Sequence, residues 1–322
     1  MDNFSVSIVI PNYNGETYLR DCLASIGRHS EYEIILIDNA STDQSVTIVE
    51  SEFPYVKILR NTENKGFSKA VNQGIESSVA PFVILLNNDT KVDKDFVSVL
   101  LHEIKKDSKI FSASSKMVQM QNPDIIDDTG DYYCALGWAY TCGKDKAESA
   151  YNRKRKVFAS CAGAAIYRKS VFEEIGYFDE EHFAYLEDID IGFRSIIFGY
   201  KNVYIPDAIC RHAGSGSSGS RYNAFKIQLS SRNSIYMIYK NMPFLMILIN
   251  LPLLFFGFLI KALFFAQKGY GRLYLRGLRR GFKLSFSDKG RAQKIPFSVG
   301  RTLTYCKIQL LLWLNVFRLL IK

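Results

Sequence analysis

Residues 7–15 read SIVIPNYNG, five uncharged residues closing on Pro11 and then Asn12-Tyr13-Asn14-Gly15. A short apolar run ending in Pro, Asn and Gly reads as a buried strand entering a turn. The same figure recurs along the first 90 residues: Glu33–Ile37 (EIILI) runs into Asp38-Asn39-Ala40-Ser41-Thr42-Asp43, Val56–Leu59 into a polar loop, and Phe82–Leu86 (FVILL) into Asn87-Asn88-Asp89. Helical stretches separate these runs at Glu16–Ile26, at a segment capped by Ser41 or Thr42 that reaches Ser51, and at Phe67–Ser77. Such alternation predicts an α/β domain, a mainly parallel sheet with helices on both faces. Ligands in sheets of this kind bind just beyond the strands' carboxyl ends, where each unit here places its polar residues.

From 91 to 160 the pattern loosens, with a helix expected over Asp95–Lys106 and mixed strands and loops through Arg153–Lys156. Order returns at Cys161–Tyr167 and at a helix over Ile189–Phe198. After Asn241 the character changes, and Phe244–Ile260 is seventeen residues without a charge, near the lower limit for a spanning helix. Asn250, Pro252, Gly257 and Lys261 interrupt it, so a span and an interfacial helix pair are equally open. Lys268–Arg301 carries ten basic residues and one acid, and Ile308–Ile321 is again apolar. The division expected is a globular domain over 1–241 and a basic, apolar, membrane-associating segment over 242–322.

The net charge of +9 conceals a split, because residues 1–207 hold 22 Lys+Arg against 31 Asp+Glu while residues 208–322 hold 19 against Asp288 alone. Basic clusters set between long apolar runs fit an anionic membrane surface and argue against nucleic acid. Six cysteines without CxxC pairs, behind a start that lacks a leader pattern, point to an unexported, reduced-thiol chain facing the cytoplasm. A transporter would need several clean spans, and hydropathy offers at most two marginal ones.

Four loops carry candidate chemistry. Pro11–Gly15 alone reads as a turn. Asp38 can accept a hydrogen bond from a ribose hydroxyl or a base imide N–H, or simply open a helix. A dinucleotide fold would show GxGxxG after the first strand, and PNYNGE does not, which argues against a nicotinamide oxidoreductase. In Asn64-Lys65-Gly66, Gly66 permits close backbone approach and the following helix offers free N–H groups to a phosphate. Asn87-Asn88-Asp89 supplies oxygen ligands suited to Mg²⁺ or Mn²⁺ held with a diphosphate, or forms an Asx turn.

In this order and spacing, SIVIPNYNG, ILIDNASTD, NKGFSKAVNQGI and LLNND resemble the family 2 glycosyltransferases, inverting enzymes of GT-A fold. Cys161–Ala165, Gly176–Glu180, Tyr185–Asp190 with Arg194, and His212–Ser217 resemble the family's acceptor-side pattern. With Arg232-Asn233 and Lys240-Asn241 the resemblance runs to about residue 241, and it is similar in look to the branch of bacterial rhamnosyltransferases of cell-surface polysaccharide assembly. It implies a nucleotide-binding half over about 1–90 and an acceptor half over 91–241. It implies donor contacts from Pro11, Tyr13, Asn14, Asp38, Asn64, Gly66, Asn72, Asn87, Asn88 and Asp89. Asp38 would meet the imide of uracil or thymine, so the donor is UDP- or dTDP-linked. Asp89 with His212 would hold Mg²⁺ or Mn²⁺, more weakly than in relatives because Asn87 replaces the first Asp of Asp-x-Asp.

The resemblance further implies Asp188 as catalytic base, and acceptor contacts from Gly163, Glu187 and Arg232. Asp190 and Arg194 read as a helix pair at i, i+4. The Gly/Ser run Gly214–Ser220 would be a loop closing over the donor. The activity implied is transfer of a sugar, rhamnose among the candidates, to a polyprenyl-diphosphate-linked saccharide at the cytoplasmic face of the membrane. A non-catalytic nucleotide-sugar-binding assembly subunit would share the first four loops yet tolerate loss of Asp188.

Overall fold

A computed structural model describes residues 4–214 and 222–321. Strands β1 (Val6–Asn12), β2 (Tyr32–Asp38), β3 (Lys57–Arg60) and β4 (Phe82–Leu86) alternate with helices α1 (Glu16–Ile26), α2 (Ser45–Glu52) and α3 (Gly66–Ser77). These strands pair in parallel in the order β4-β1-β2-β3. Successive side chains point to opposite faces, and both faces are covered. Ile8, Ile10, Leu36 and Ile84 pack with Leu19, Leu23 and Val49 on one side, while Val9, Ile35, Val83 and Leu85 pack with Val71 and Ile75 on the other.

The second half adds β5 (Thr90–Val92), α4 (Phe96–Lys105), β6 (Ile110–Gln119), β7 (Asn122–Asp128), β8 (Asp131–Cys134), β9 (Trp138–Thr141), β10 (Arg155–Val157), β11 (Ala164–Arg168), α5 (Lys169–Ile175), α6 (Glu187–Ile197) and β12 (Lys201–His212). Strand β11 runs antiparallel between β4 and β6, and β12 lies parallel to β6. The sheet order becomes β10-β12-β6-β11-β4-β1-β2-β3. Strand β5 pairs antiparallel with the end of β12, His212 opposite Thr90. That register carries His212 to the carboxyl edge of β4.

The expected start of α2 is corrected by the structure. The helix begins at Ser45, whose N–H donates to Asp43 Oδ1 at 3.1 Å. Ser41 instead turns its oxygen back toward β1, accepting from Asn12 Nδ2 at 3.1 Å and from the Asn14 N–H at 2.9 Å. Within the Gly/Ser run, Ser215, Gly216, Ser217, Ser218, Gly219 and Ser220 lie outside the described residues.

The chain continues through α7 (Ala224–Asn241), α8 (Phe244–Gln267), α9 (Gly271–Ser285), α10 (Asp288–Ala292) and α11 (Thr302–Leu320). Two helices, Phe244–Gln267 and Val299–Leu320, are long and apolar enough to cross a membrane. Both nevertheless clasp the β8–β9 hairpin. Trp138 Nε1 donates to the Gly257 carbonyl at 3.0 Å, Tyr140 Oη to the Asn315 carbonyl at 2.7 Å, and Asn315 Nδ2 to the Tyr133 carbonyl at 2.8 Å. Met246, Leu254, Ile308 and Leu312 share one core with Tyr133, Phe158 and Phe193.

Candidate active site

The parallel strands deliver their last residues to one edge, where Asn12, Asp38, Asn88 and Asp89 are all buried. Asn12 is the hub. Its Nδ2 lies 3.0 Å from Ser45 Oγ and 3.3 Å from Asp38 Oδ1, its Oδ1 accepts from Asn88 Nδ2 at 2.7 Å, and its carbonyl accepts the Asn39 N–H at 2.8 Å. A Cβ on Gly15 would stand 2.2 Å from both Asn12 Oδ1 and Asn88 Nδ2, so glycine there leaves room for that bond. Asn12 is absent from the residues expected from the sequence. A signal existed, because alternation along β1 turns Asn12 to the same face as Ile8 and Ile10, and a buried amide must find partners.

Of the neighbouring expected residues, Pro11 lies inside β1 opposite Ile37, and Tyr13 is half exposed. Asn14, in the left-handed region at φ 52°, accepts the Thr42 N–H at 2.8 Å. Asp38 accepts the Ser41 N–H at 3.2 Å. Asn64 Oδ1 accepts the Gly66 N–H at 2.9 Å, and Asn39 Nδ2 donates to the Gly66 carbonyl at 3.2 Å. Gly66 has φ 83°, and a Cβ there would sit 2.6 Å from the Phe183 carbonyl oxygen, so this loop reaches under the turn that precedes α6 only as glycine.

Three expected residues also make contacts within the fold. Asn72 uses both ends of its amide on Phe178, donating to the carbonyl at 2.8 Å and accepting the N–H at 3.0 Å, and so fastens α3 to the Gly176–Glu180 segment. Gly163 accommodates Asn87, whose Nδ2 lies 2.9 Å from where a Cβ would be and whose N–H donates to the Gly163 carbonyl at 2.8 Å. Arg232 donates to the carbonyls of Glu181 at 2.6 Å and His182 at 2.9 Å.

Asp89 Oδ1 lies 3.3 Å from His212 Nε2, and His212 Nδ1 lies 2.7 Å from Asp127 Oδ2. Burial alone would lower the imidazole's pKa, but hydrogen bonds to Asp127 and Asp89 overcome it and push it up to about 9. Asp89 Oδ2 is buried with no hydrogen-bond partner among the described residues. An anionic oxygen so placed is costly unless a cation meets it. A divalent cation of the Mg²⁺ or Mn²⁺ kind bound to Asp89 would displace the proton of His212, leaving one carboxylate, one neutral imidazole and neighbouring amide oxygens to hold it.

Two other acidic groups fit a metal less well. Asp179, His182 and Asp190 converge within 4.8 Å, but Lys240 Nζ already bridges Asp179 Oδ2 at 2.7 Å and Asp190 Oδ2 at 2.9 Å. Asp128, Asp131 and Cys161 also converge. Burial pushes the Cys161 thiol up, which keeps it protonated and a poor ligand.

Glu187 and Asp188 occupy the first turn of α6, entered through Tyr185 and Leu186 at φ 70° and 67°. Left-handed non-glycine residues persist only where surroundings over-determine them. Here Asn233 Nδ2 lies within hydrogen-bond reach of the carbonyls of His182, Ala184 and Tyr185, at 3.0, 3.0 and 2.7 Å. Behind the turn, Asp190 and Arg194 form the expected i, i+4 pair at 2.9 Å, fully buried. Arg194 also donates to the carbonyls of Ile175, Gly176 and Tyr177. Glu187 is buried with Oε2 unpartnered among the described residues, and burial pushes its carboxyl up to about 7. Burial, then Asp131 and Glu187, raise Asp188 well above the carboxylate range. A carboxylate held high accepts a proton effectively near neutral pH.

Known proteins share the family and the fold. An N-acetylglucosaminyl-diphospho-decaprenol L-rhamnosyltransferase of Mycobacterium tuberculosis is 25% identical over 239 residues, covering 66% of this chain and 77% of that one. A poly-beta-1,6-N-acetyl-D-glucosamine synthase of Staphylococcus epidermidis is 26% identical over 216 residues, covering 64% of this chain and 49% of the synthase, about half its length. The crystal structure of GalNAc-T7 with UDP, GalNAc and Mn²⁺ superposes with a TM-score of 0.59 at 19% identity, covering 74% of this chain and 48% of that one. The fold is therefore GT-A. Glycosyl transferase family 2 matches residues 7–176, more than half of the 322, and the chain is a glycosyltransferase belonging to that family.

Proposed function

We propose that this enzyme is an inverting glycosyltransferase that moves a sugar, rhamnose first among the candidates, from a UDP- or dTDP-linked donor to a polyprenyl-diphosphate-linked saccharide at the cytoplasmic face of the membrane. The observation that carries this reading is the Glu187–Asp188 pair on the first turn of α6, a turn held by Asn233 and Lys240 in a chain that matches glycosyl transferase family 2. Inversion is one in-line displacement. The acceptor oxygen bonds to the anomeric carbon as the nucleoside diphosphate leaves from the opposite face, and Asp188 takes the acceptor's hydroxyl proton. Asp38, steadied by Asn12, accepts the base imide N–H. Asn64 and Gly66 shape the loop beside the phosphates. Asp89 and His212 would hold a divalent cation, which when bound neutralises charge on the departing diphosphate.

Support for the acceptor class comes from the mycobacterial relative, named for a decaprenol-linked substrate and a rhamnosyl group. The staphylococcal synthase supports a role in surface polysaccharide. The structural neighbour, crystallised with UDP and Mn²⁺, supports the donor class and the cation.

Asp188→Asn is the test. Transfer should fall by about 10²–10⁴-fold, while thermal shifts with dTDP-rhamnose, UDP-glucose, UDP-galactose and UDP-N-acetylglucosamine, with and without Mn²⁺, stay as in the parent. The donor giving the largest shift names the nucleotide. A fully active variant would overturn the assignment of the base.

A further inference from the structure

Helix α8 is apolar all round by sequence, yet the fold treats its faces differently. Met246, Asn250, Leu254 and Gly257 form one buried stripe. Asn250 is fully enclosed, donating to Gln309 Oε1 at 2.7 Å and accepting from Gln309 Nε2 at 2.8 Å and Trp313 Nε1 at 3.1 Å. Gly257 lies so close to the hairpin that a Cβ would meet the Leu136 carbonyl oxygen at 2.1 Å. The rest of α8 faces outward, with Leu248, Leu251, Phe255 and Leu259 between 41% and 61% exposed. Contiguous exposed apolar surface of this size marks an interaction face.

Helix α9 repeats the division more sharply. Its inner face carries Gly277 and Gly281, pressed onto α7 so that Cβ atoms would fall 1.8 Å from Ser231 Oγ and 2.4 Å from the Arg232 carbonyl oxygen. Its outer face mixes exposed Leu275 and Phe282 with exposed Arg272, Arg276, Arg279 and Lys283. Basic and large apolar side chains on one helix face suit the headgroup boundary of an anionic leaflet, not the hydrocarbon centre.

We infer that α8 and α9 lie flat in one anionic leaflet, with the whole chain on one side of the bilayer. This rests on the membrane location proposed for the enzyme and adds orientation and lipid charge to it. A spanning α8 would have to drag the tip of the β8–β9 hairpin into hydrocarbon, because Leu254 and Gly257 of its inner stripe meet that tip at Leu136, Gly137 and Trp138. The hairpin opens on Asp131, whose carboxylate has no place there. A leaflet-seated α8 keeps the hairpin in water and gives its outward leucines and phenylalanines to lipid. Charge fixes the occupant, since the stretch 268–301 holds ten bases and one acid.

The test uses the full chain. With vesicles of phosphatidylcholine plus phosphatidylglycerol it should float, and with phosphatidylcholine alone the bound fraction should fall about tenfold. Leu275→Ser/Phe282→Ser and Arg276→Gln/Arg279→Gln should each reduce flotation while transfer to a water-soluble acceptor is unchanged. Orientation is read by a membrane-impermeant maleimide added outside sealed vesicles carrying Gln267→Cys in a chain otherwise free of cysteine. In-plane seating exposes Cys at position 267 to the reagent. Flotation with that position protected until detergent is added would overturn the in-plane geometry and leave the membrane reading standing. Absence of flotation would overturn the membrane reading itself, and a dimer that buries this face in sedimentation would assign it to a second copy.

Discussion

Asp89 and His212 meet at 3.3 Å although they stand far apart in the chain, because β5 and β12 pair with His212 opposite Thr90. The second oxygen of Asp89 is buried without a partner among the described residues. If this pair holds the cation, His212→Ala should weaken Mn²⁺ binding about 10–100-fold, with Asp89→Asn at least as severe. Asn87→Asp should tighten it by restoring an anionic ligand. Calorimetric titration with Mn²⁺ reads all three, and unchanged affinity in Asp89→Asn would move the metal elsewhere.

Transfer should depend on pH through the two carboxyls at the start of α6. Both are raised by burial, Glu187 to about 7, so each keeps its proton to higher pH than an ordinary carboxyl and must lose it before it can serve as a base. The rate of transfer should therefore climb with pH and fall about tenfold per pH unit below the acid limb. Glu187→Gln removes a like charge beside Asp188, and the limb of kcat/KM should move to lower pH. A limb unmoved by that change would mean another group sets it.

Stability should carry the signature of His182. The ring is enclosed with neither nitrogen hydrogen-bonded to any of the described residues, and burial holds it at about 4 against 6.5 when free. Between those values the unfolded chain binds a proton that the fold refuses. The contribution of neutral His182 is complete above pH 6.5 and is lost as pH falls toward 4, on the order of 3 kcal/mol in all. His182→Phe should flatten this stretch of the urea-stability profile. An equally steep profile in the variant would place the titration on other groups.

Removal of residues 242–322, read from the sequence as release of an anchor, should instead unfold the protein. Met246, Leu254, Ile308 and Leu312 cover Tyr133, Phe158 and Phe193. Each large apolar side chain uncovered costs about 1.5–3 kcal/mol, and four or more exceed what a domain commonly has to spare. The truncated chain should aggregate and show no cooperative thermal transition by circular dichroism. A monomeric, cooperatively melting fragment would show that the catalytic domain stands alone.

The parallel half was legible because its strands are apolar runs punctuated by turn residues. Phe82–Leu86 and Glu16–Ile26 coincide with β4 and α1 to the residue. Strand β6, IFSASSKMVQ, is buried almost throughout but carries no apolar run: Ser112 pairs with Ser160 and Asn202, each at 2.8 Å, and Ser115 donates to the Ala164 carbonyl at 2.8 Å. Asp38, Asp89 and Asp188 announced themselves as acids at strand or helix ends. Asn12 did not, because Asn in a Pro-Asn-Tyr-Asn run reads as a turn and its partners come from other loops. Asn72 and Arg232 were read by type, and only their backbone partners, Phe178, Glu181 and His182, reveal that they hold the chain together. Long-range pairing is invisible to local pattern.

Lys240, lodged between Asp179 and Asp190, is a counter-ion that cannot diffuse away. A bound metal comes and goes with its nucleotide and yields to a chelator, but a tethered ammonium has no dissociation constant to exceed. The turn that presents Glu187 and Asp188 is therefore held whether or not a metal is bound. On the proposed mechanism, the donor side could be stripped of its cation between turnovers while the turn carrying Asp188 waits already assembled.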